Sequence, residues 1–376
     1  MPADHDSRLP STAPSSRTDL DGGLPRYALP AYLLLIVYVS LSPLTGWRRP
    51  AGGMFAFLLA GWPKYTTIFD LAANFLAYAP LGMMLYGVAR RVLNKFVAVL
   101  VAALIGASLS FFMESLQALL PMRVASIDDL LTNSLGALAG ALVAAHVGDS
   151  DLARWLSYVR RRVFSAGKAT EFGEVLLAFW LITQLNPSIP FFGAGNINNP
   201  LVEQWNAQAG ESLFLLPQGL AVALNVCGFG LFVSVLTRPG VHGFRWALAF
   251  MIAGFLFKLL AAGVMLKPPL LFDWLGVDTA MGILVGLLLF VGLVRFSRPV
   301  RTYLAAMLIF AGGLLAKIGA IYDSLPAIVG VFSWHYGQLL NFSTLTRWLH
   351  ELWPLLALVY LIVAFARSPP PDLGGA

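Results

Sequence analysis

The chain has 376 residues, of which 58% are hydrophobic and only 12% are charged, and its net charge is +6. Soluble domains contain about a quarter charged residues, so this composition excludes an ordinary soluble globular protein. The mean hydropathy is +0.74, and apolar runs near the ~20 residues that cross a bilayer recur along the chain. We therefore predict an all-α, multi-pass helical membrane protein embedded in a lipid bilayer. The positive charge lies between the apolar runs, so membrane topology explains it without a nucleic-acid partner.

Residues 1–26 are rich in Pro, Ser, Asp and Gly, a composition that predicts a disordered tail, and they contain no apolar signal-peptide core. About ten apolar segments follow, each predicted to span the membrane. Their predicted bounds are 29–46, 68–89, 96–120, 127–147, 171–189, 213–236, 244–266, 275–296, 301–322 and 349–366. Residues 368–376 form a short second tail.

Lysine and arginine are distributed unequally between the two sides of these spans. The N-terminal tail, the loops after spans 2, 4, 6 and 8 together with the span ends beside them, and the C-terminal tail hold 17 of them, whereas the loops on the other side hold 6. By the positive-inside rule, both termini are predicted to be cytoplasmic. Residues 151–170 are the strongest marker and are predicted to form a basic cytoplasmic loop. Contact of this loop with anionic lipid head groups stays open as an alternative reason for its charge.

An offset of about 144 residues aligns the chain with itself. Several positions match at that offset: Leu41–Pro43 with Leu185–Pro187, Glu114 with Lys258, Arg123 with Lys267, Asp129 with Asp273 and, after a two-residue slip, Gly136 and Gly140 with Gly282 and Gly286. Spans 1–4 and 5–8 are therefore predicted to be degenerate copies of one four-helix unit, arranged as a parallel repeat. Chance similarity between apolar helices stays open. The predicted division is 27–150 for the first unit, 151–170 for the basic loop, 171–298 for the second unit and 299–367 for two further helices.

Polar residues are grouped where three predicted spans approach one membrane surface. These candidate binding-pocket residues are Asp70, Asn74, Glu114, Gln117, Arg123, Asp128, Asp129 and Asn133. Within each span, residues three or four apart share one helix face. The predicted topology places all three faces at the same depth beneath the outer membrane surface. We therefore expect a single outward-facing polar cluster.

Local structure accounts for part of this cluster. Ser126 with Asp129 three residues later fits an N-terminal helix cap, and acidic residues suit the positive end of a helix dipole. Glu114 lies within the last third of an apolar helix, where an ionised carboxylate requires a partner, and Arg123 is the nearest candidate in the sequence. A structural clamp between helices and a binding or catalytic pocket both stay open.

Other ionisable residues carry weaker signals. Lys258 and Lys317 lie within predicted spans and are expected either to snorkel to the surface or to pair with Asp273, Asp278 or Asp323. His335 and Trp334 lie in a predicted outer loop without a second His or Cys at metal-binding spacing, so we predict no metal site and no cofactor. The single cysteine, Cys227, excludes an intrachain disulfide.

Three motifs in order resemble the VanZ-like family of membrane proteins, named for a protein associated with low-level teicoplanin resistance. They are D-x3-N-x5-P-x-G (Asp70, Asn74, Pro80, Gly82), E-x2-Q-x5-R (Glu114, Gln117, Arg123) and DD-x3-N-x2-G-x3-G (Asp128 to Gly140). The resemblance covers the first four predicted spans and implies a protein of the bacterial inner membrane that faces the cell envelope. Short members of the family end after such a unit, whereas this chain continues.

Three hypotheses follow for the function. The first is a non-catalytic membrane module that binds a polar lipid head group, a lipid-linked envelope precursor or a partner membrane protein at the outer leaflet. The second is an enzyme or transporter that uses Glu114 and Asp129 as acid and base, with Arg123 holding an anionic group. The third is a purely structural clamp. We favour the first because two acids and one arginine lack a clear nucleophile or metal.

Overall fold

The computed structural model describes residues 27–42, 44–50, 52–61, 68–148, 150–193, 212–320 and 338–366. This part of the chain is all-α, as predicted, and contains eleven α-helices. The helices are α1 (Ala28–Leu41), α2 (Ile68–Ala89), α3 (Lys95–Gln117), α4 (Ile127–Val147), α5 (Asp151–Val163), α6 (Lys168–Thr183), α7 (Ser212–Leu236), α8 (Gly243–Met265), α9 (Val277–Leu293), α10 (Arg298–Ala320) and α11 (Gln338–Ala366).

Eight helical segments within the described ranges are long and apolar enough to cross a membrane. Seven lie in α2, α3, α4, α7, α8, α10 and α11, and the eighth is Pro268–Leu293, which joins α9 to the two short 3-10 turns before it. The multi-pass prediction is therefore confirmed, although two of the ten predicted spans are shorter than expected. Helix α1 has 14 residues, or about 21 Å at 1.5 Å per residue, and α6 has 16 residues. Helix α6 ends at Thr183, and buried, non-helical chain continues over 186–193. Pro187 and Pro190 lie in this continuation, and proline cannot donate the backbone hydrogen bonds of a helix.

The basic segment predicted as a loop is mostly helical, because α5 occupies its first 13 residues. Asp151 lies in the first turn and Arg160, Arg161 and Arg162 lie in the last turn, so the charges match the helix dipole. Arg160 also forms a 2.7 Å ion pair with Glu174 of α6. This contact fixes α5 against α6.

Helices α2 and α4 pack backbone to backbone. A Cβ atom on Gly136 would lie 2.3 Å from the Phe75 carbonyl oxygen, and one on Gly140 would lie 1.9 Å from the Ala79 carbonyl oxygen. Gly82 approaches α4 equally closely from the other side. Gly136 and Gly140 therefore allow the two backbones to approach closely, as small residues commonly do in membrane helices. This crossing holds the start of α2 beside the start of α4.

Helices α6 to α11 form the second helical group, and α7 lies at its centre. In the most apolar stretch of α7, 78% of the residues are buried. Helix α7 packs against α6, α8, α9 and α10. A Cβ on Gly282 of α9 would lie 2.5 Å from the carbonyl oxygen of Gly219 in α7, and one on Gly286 would lie 2.6 Å from that of Ala223. Helix α9 thus contacts α7 through glycines, as α4 contacts α2. The extensive α3–α4 contact, in contrast, is not reproduced to a similar extent by α8 and α9.

Several predictions fall on residues outside the described ranges. These are the two tails, 1–26 and 368–376, the outer loop around residue 200, and the loop that contains Asp323, Trp334 and His335. The side chain of Lys317 is also outside the description.

Candidate functional site

Helices α1 to α4 form the first helical group. Three helix ends meet on one side of it: the start of α2, the end of α3 and the start of α4. The Asn74 side-chain amide donates a short hydrogen bond to Asp129 Oδ1, which joins α2 to α4. Asp70 lies near enough to Asp129 to interact with it electrostatically, and Glu114 interacts in the same way with Asp128 and Asp129. The structure therefore brings the acidic residues of the predicted cluster together.

Glu114 is almost fully buried, with 2% of its surface exposed. Its Oε2 accepts a hydrogen bond of 3.0 Å from the backbone N–H of Ser126. Ser126 is the residue that caps α4, and its own Oγ accepts a 3.2 Å hydrogen bond from the Asp129 N–H. The predicted cap is therefore confirmed. Glu114 joins the end of α3 to the start of α4, and the backbone donors of a helix start satisfy both the capping hydroxyl and this carboxylate.

Gln117 and Arg123 face a different element, the C-terminal end of α1. Gln117 Nε2 donates to the Ser40 carbonyl oxygen at 3.0 Å, and Arg123 Nε donates to that of Ser42 at 2.9 Å. The Arg123 Nη2 group also donates to the Val39 carbonyl oxygen. A helix end exposes unpaired carbonyl oxygens, so these two side chains close the end of α1.

Arg123 is consequently not the ion-pair partner of Glu114 that the sequence suggested. No Lys or Arg of the described residues forms an ion pair with either Glu114 or Asp129. Burial lowers the pKa of the Arg123 guanidinium below its ordinary value, and the nearby Glu114 carboxylate acts in the opposite direction. Arginine remains charged under such shifts, so Arg123 adds positive potential near the cluster while its donors serve α1.

Asn133 extends the cluster towards the membrane interior. Its Nδ2 donates a 3.0 Å hydrogen bond to Ser110 Oγ of α3, and both side chains are buried. Asn133 Oδ1 is a buried acceptor without a hydrogen-bond partner among the described residues. Asp70, Asn74 and Asp129 are half-buried, so they lie at the open margin. The cluster therefore contains hydrogen-bond acceptors both at its open margin, on Asp70 and Asp129, and in its interior, on Asn133. A group that donates hydrogen bonds fits such a site.

A second buried polar centre, around Lys258 of α8, was not predicted from the sequence. Lys258 is 1% exposed, and its Nζ donates to the carbonyl oxygens of Asn186 at 2.8 Å and Ile189 at 3.0 Å. The expected snorkelling is therefore wrong, because the ammonium group holds the non-helical chain that follows α6. The 144-residue offset between Glu114 and Lys258 was a signal for it, since both positions bury a charged side chain near a helix end.

The comparison with known families agrees with this geometry. Residues 29–148 match the model of the VanZ/LLP1 family. No curated protein and no solved structure matches the chain. The matched residues contain α1 to α4, the cluster and the glycines of the α2–α4 crossing. Helices α1 to α4 thus form the part of the chain that matches the VanZ/LLP1 family, and they are called the VanZ-like unit below.

Proposed function

We propose that the VanZ-like unit binds a polar group of a cell-envelope component at the outer membrane surface. The supporting observation is that the carboxylates of Glu114 and Asp129 lie together without an ion-pair partner among the described residues. Buried carboxylates are normally paired, so a site of this kind favours a ligand that brings the missing donor. A purely structural clamp would need no open margin, yet Asp70 and Asn74 are only partly buried.

The chemistry of the lining restricts the ligand. Ionised carboxylates only accept hydrogen bonds, and the free Oδ1 of Asn133 also accepts. The favoured ligand group therefore carries ammonium, hydroxyl or amide donors, as a polar lipid head group or a lipid-linked glycan does. A donor group of a partner membrane protein would meet the same requirement. Arg123 contributes less to recognition than to the fold, because its Nε and Nη2 donate to the end of α1.

The proposal includes an orientation and an envelope role. The basic residues around α5 and both termini are placed in the cytoplasm by the positive-inside rule, so the cluster faces outwards. The match of this segment to the VanZ/LLP1 family supports a link to glycopeptide susceptibility. The parallel repeat is part of the same proposal. Phe75 and Ala79 lie 144 residues before Gly219 and Ala223, and these two pairs receive the equivalent glycine contacts.

One observation favours acid–base chemistry as a second candidate. Glu114 and Asp129 are neighbouring carboxyl groups, one buried and one partly buried, and such pairs can serve as a proton donor and acceptor. This alternative requires the carboxyl groups themselves. A binding site also loses affinity when amides replace the carboxylates, but it leaves its ligand chemically unchanged.

The test uses Glu114→Gln and Asp129→Asn in cells that produce equal amounts of each protein. The amide oxygens can still accept from the Ser126 N–H and from Asn74, so we expect membrane abundance to stay within about twofold of the wild type. Teicoplanin susceptibility should move most of the way to that of cells without the protein. Asp278→Asn is the matched control, because Asp278 lies in the first turn of the apolar helix α9, outside the cluster. Wild-type susceptibility in both cluster variants would contradict the proposal, and a joint loss of abundance and function would favour the clamp.

A further inference from the structure

The second helical group contains a cavity of about 210 Å³ between α6, α7, α10 and α11. Its walls are almost entirely apolar and aromatic, and they include Trp180, Phe229, Phe310, Leu314, Trp353 and Leu355. The cavity lies outside residues 29–148, so it belongs neither to the VanZ-like unit nor to the polar cluster.

The cavity connects the outer surface of the helix bundle to its interior. Phe310, Leu314 and Leu355 line it and are each 54% exposed. They lie on α10 and α11, which are both long enough to cross the membrane, so their exposed faces contact lipid. Trp180 and Phe229 line the same cavity but are only 4% and 1% exposed. A molecule that enters between α10 and α11 therefore reaches side chains that bulk lipid does not touch.

The polar side chains at the cavity have partners within the protein. Thr183 Oγ1 donates to the Trp180 carbonyl oxygen, and Glu351 forms a 3.6 Å ion pair with Arg347. Asn225 Nδ2 donates to the Phe192 carbonyl oxygen at 3.0 Å, and His350 Nε2 lies 3.0 Å from that of Gly193. Both bonds hold the non-helical chain after α6 against neighbouring helices. The remaining surface of the cavity offers dispersion contacts. The stacked rings of Trp180 and Phe229, whose centroids are 4.0 Å apart, form its buried end.

A glycine in α10 leaves part of the cavity unfilled. A Cβ on Gly313 of α10 would meet only the Pro354 Cβ atom, at 3.8 Å, so the space beside this glycine is unfilled. Apolar cavities of roughly 150 Å³ in soluble proteins stay dry and take up benzene. A somewhat larger apolar cavity that opens into a bilayer is surrounded by hydrocarbon chains at very high local concentration.

We propose that this cavity binds the end of a hydrocarbon chain of a membrane lipid, which enters between α10 and α11. The lipid-facing mouth, the buried aromatic end and the saturated polar groups all favour an alkyl chain over a polar ligand. The proposal does not depend on the function of the Glu114 cluster.

The experiment uses the full chain in phosphatidylcholine nanodiscs that contain a small fraction of phosphatidylcholine with a diazirine at the end of one acyl chain. After irradiation, mass spectrometry locates the adducts. We expect adducts on Trp180 or Phe229 in addition to the lipid-facing residues. Gly313→Leu fills the cavity and should reduce the interior adducts at least fivefold. Gly263→Leu is the matched control, since a Cβ on this exposed glycine of α8 meets nothing within 4 Å, and it should leave them unchanged.

Two results would overturn the proposal. One is labelling of the wild type that is confined to outward residues such as Phe310 and Leu355. The other is equal interior labelling in Gly313→Leu and the wild type. Thermal unfolding of each variant verifies that it is folded, and Gly313→Ala, with a smaller expected reduction, replaces Gly313→Leu if the latter does not fold.

Discussion

Individual residues in the polar cluster differ in how well the sequence predicted them. The Ser126 cap follows from a local rule, because the Asp129 N–H that donates to its hydroxyl lies only three residues further along the chain. Arg123 was assigned to Glu114 on proximity in sequence, but it donates to Ser42 and Val39, which are more than 80 residues away. Such contacts depend on where α1 ends, and the sequence placed that end five residues too late.

Lys258 gives the sharpest prediction at the residue scale. Lys258→Met keeps the length of the side chain but leaves the carbonyl oxygens of Asn186 and Ile189 without their donor. Buried unsatisfied acceptors cost about 1–3 kcal/mol, so we expect a lower melting temperature. Hydrogen exchange should increase most at the backbone amides of 186–193. Lys168→Met, which removes an exposed lysine, is the control and should change neither quantity. Unchanged exchange at 186–193 in Lys258→Met would show that this ammonium group does not hold the segment.

At the scale of helices, hydropathy predicted the long spans well and the irregular elements poorly. Six of the eight long helices begin within two residues of the predicted span, and α4 agrees at both ends. Helix α5 was taken for a loop because its arginines dominate the composition. The apolar residues Trp155, Val159 and Val163 nevertheless recur every four positions, which is the helical spacing. Pro187 and Pro190 after α6 also indicate the end of a helix, but hydropathy averaged over a segment does not respond to single prolines.

The glycine contacts allow a test of the packing and of the repeat together. Gly140→Ala places a methyl group 1.9 Å from the Ala79 carbonyl oxygen, and Gly286→Ala places one 2.6 Å from that of Ala223. Because neither backbone can be displaced without separating two helices, we expect both variants to lose about 1–3 kcal/mol of stability, as in other overpacked cores. Gly292→Ala is the control, since its Cβ meets nothing within 4 Å. Thermal unfolding in detergent measures all three, and a variant as stable as Gly292→Ala would show that its glycine is not required for close packing.

At the scale of the whole molecule, the chain consists of a VanZ-like unit followed by a larger helical group with its own core. The sequence analysis predicted two copies of one four-helix unit from internal similarity, and this repeat stays a prediction: α9 contacts α7 through glycines as α4 contacts α2, but the α3–α4 contact has no counterpart of similar extent. The additional helices α10 and α11 were predicted only as spans. Their packing against α6 and α7, which creates the cavity, depends on shape complementarity between distant segments and has no local signature.

The central claim is that the polar cluster of the VanZ-like unit faces the outside of the cell. Its most direct test is the reaction of Asp70→Cys with a membrane-impermeant maleimide in intact cells. The buried native thiol is removed by Cys227→Ala, and Arg161→Cys on the exposed face of α5 is the control. We predict that Asp70→Cys reacts in intact cells, whereas Arg161→Cys reacts only after the membrane is permeabilised. Reaction of Asp70→Cys only after permeabilisation would place the cluster on the cytoplasmic side and contradict the account.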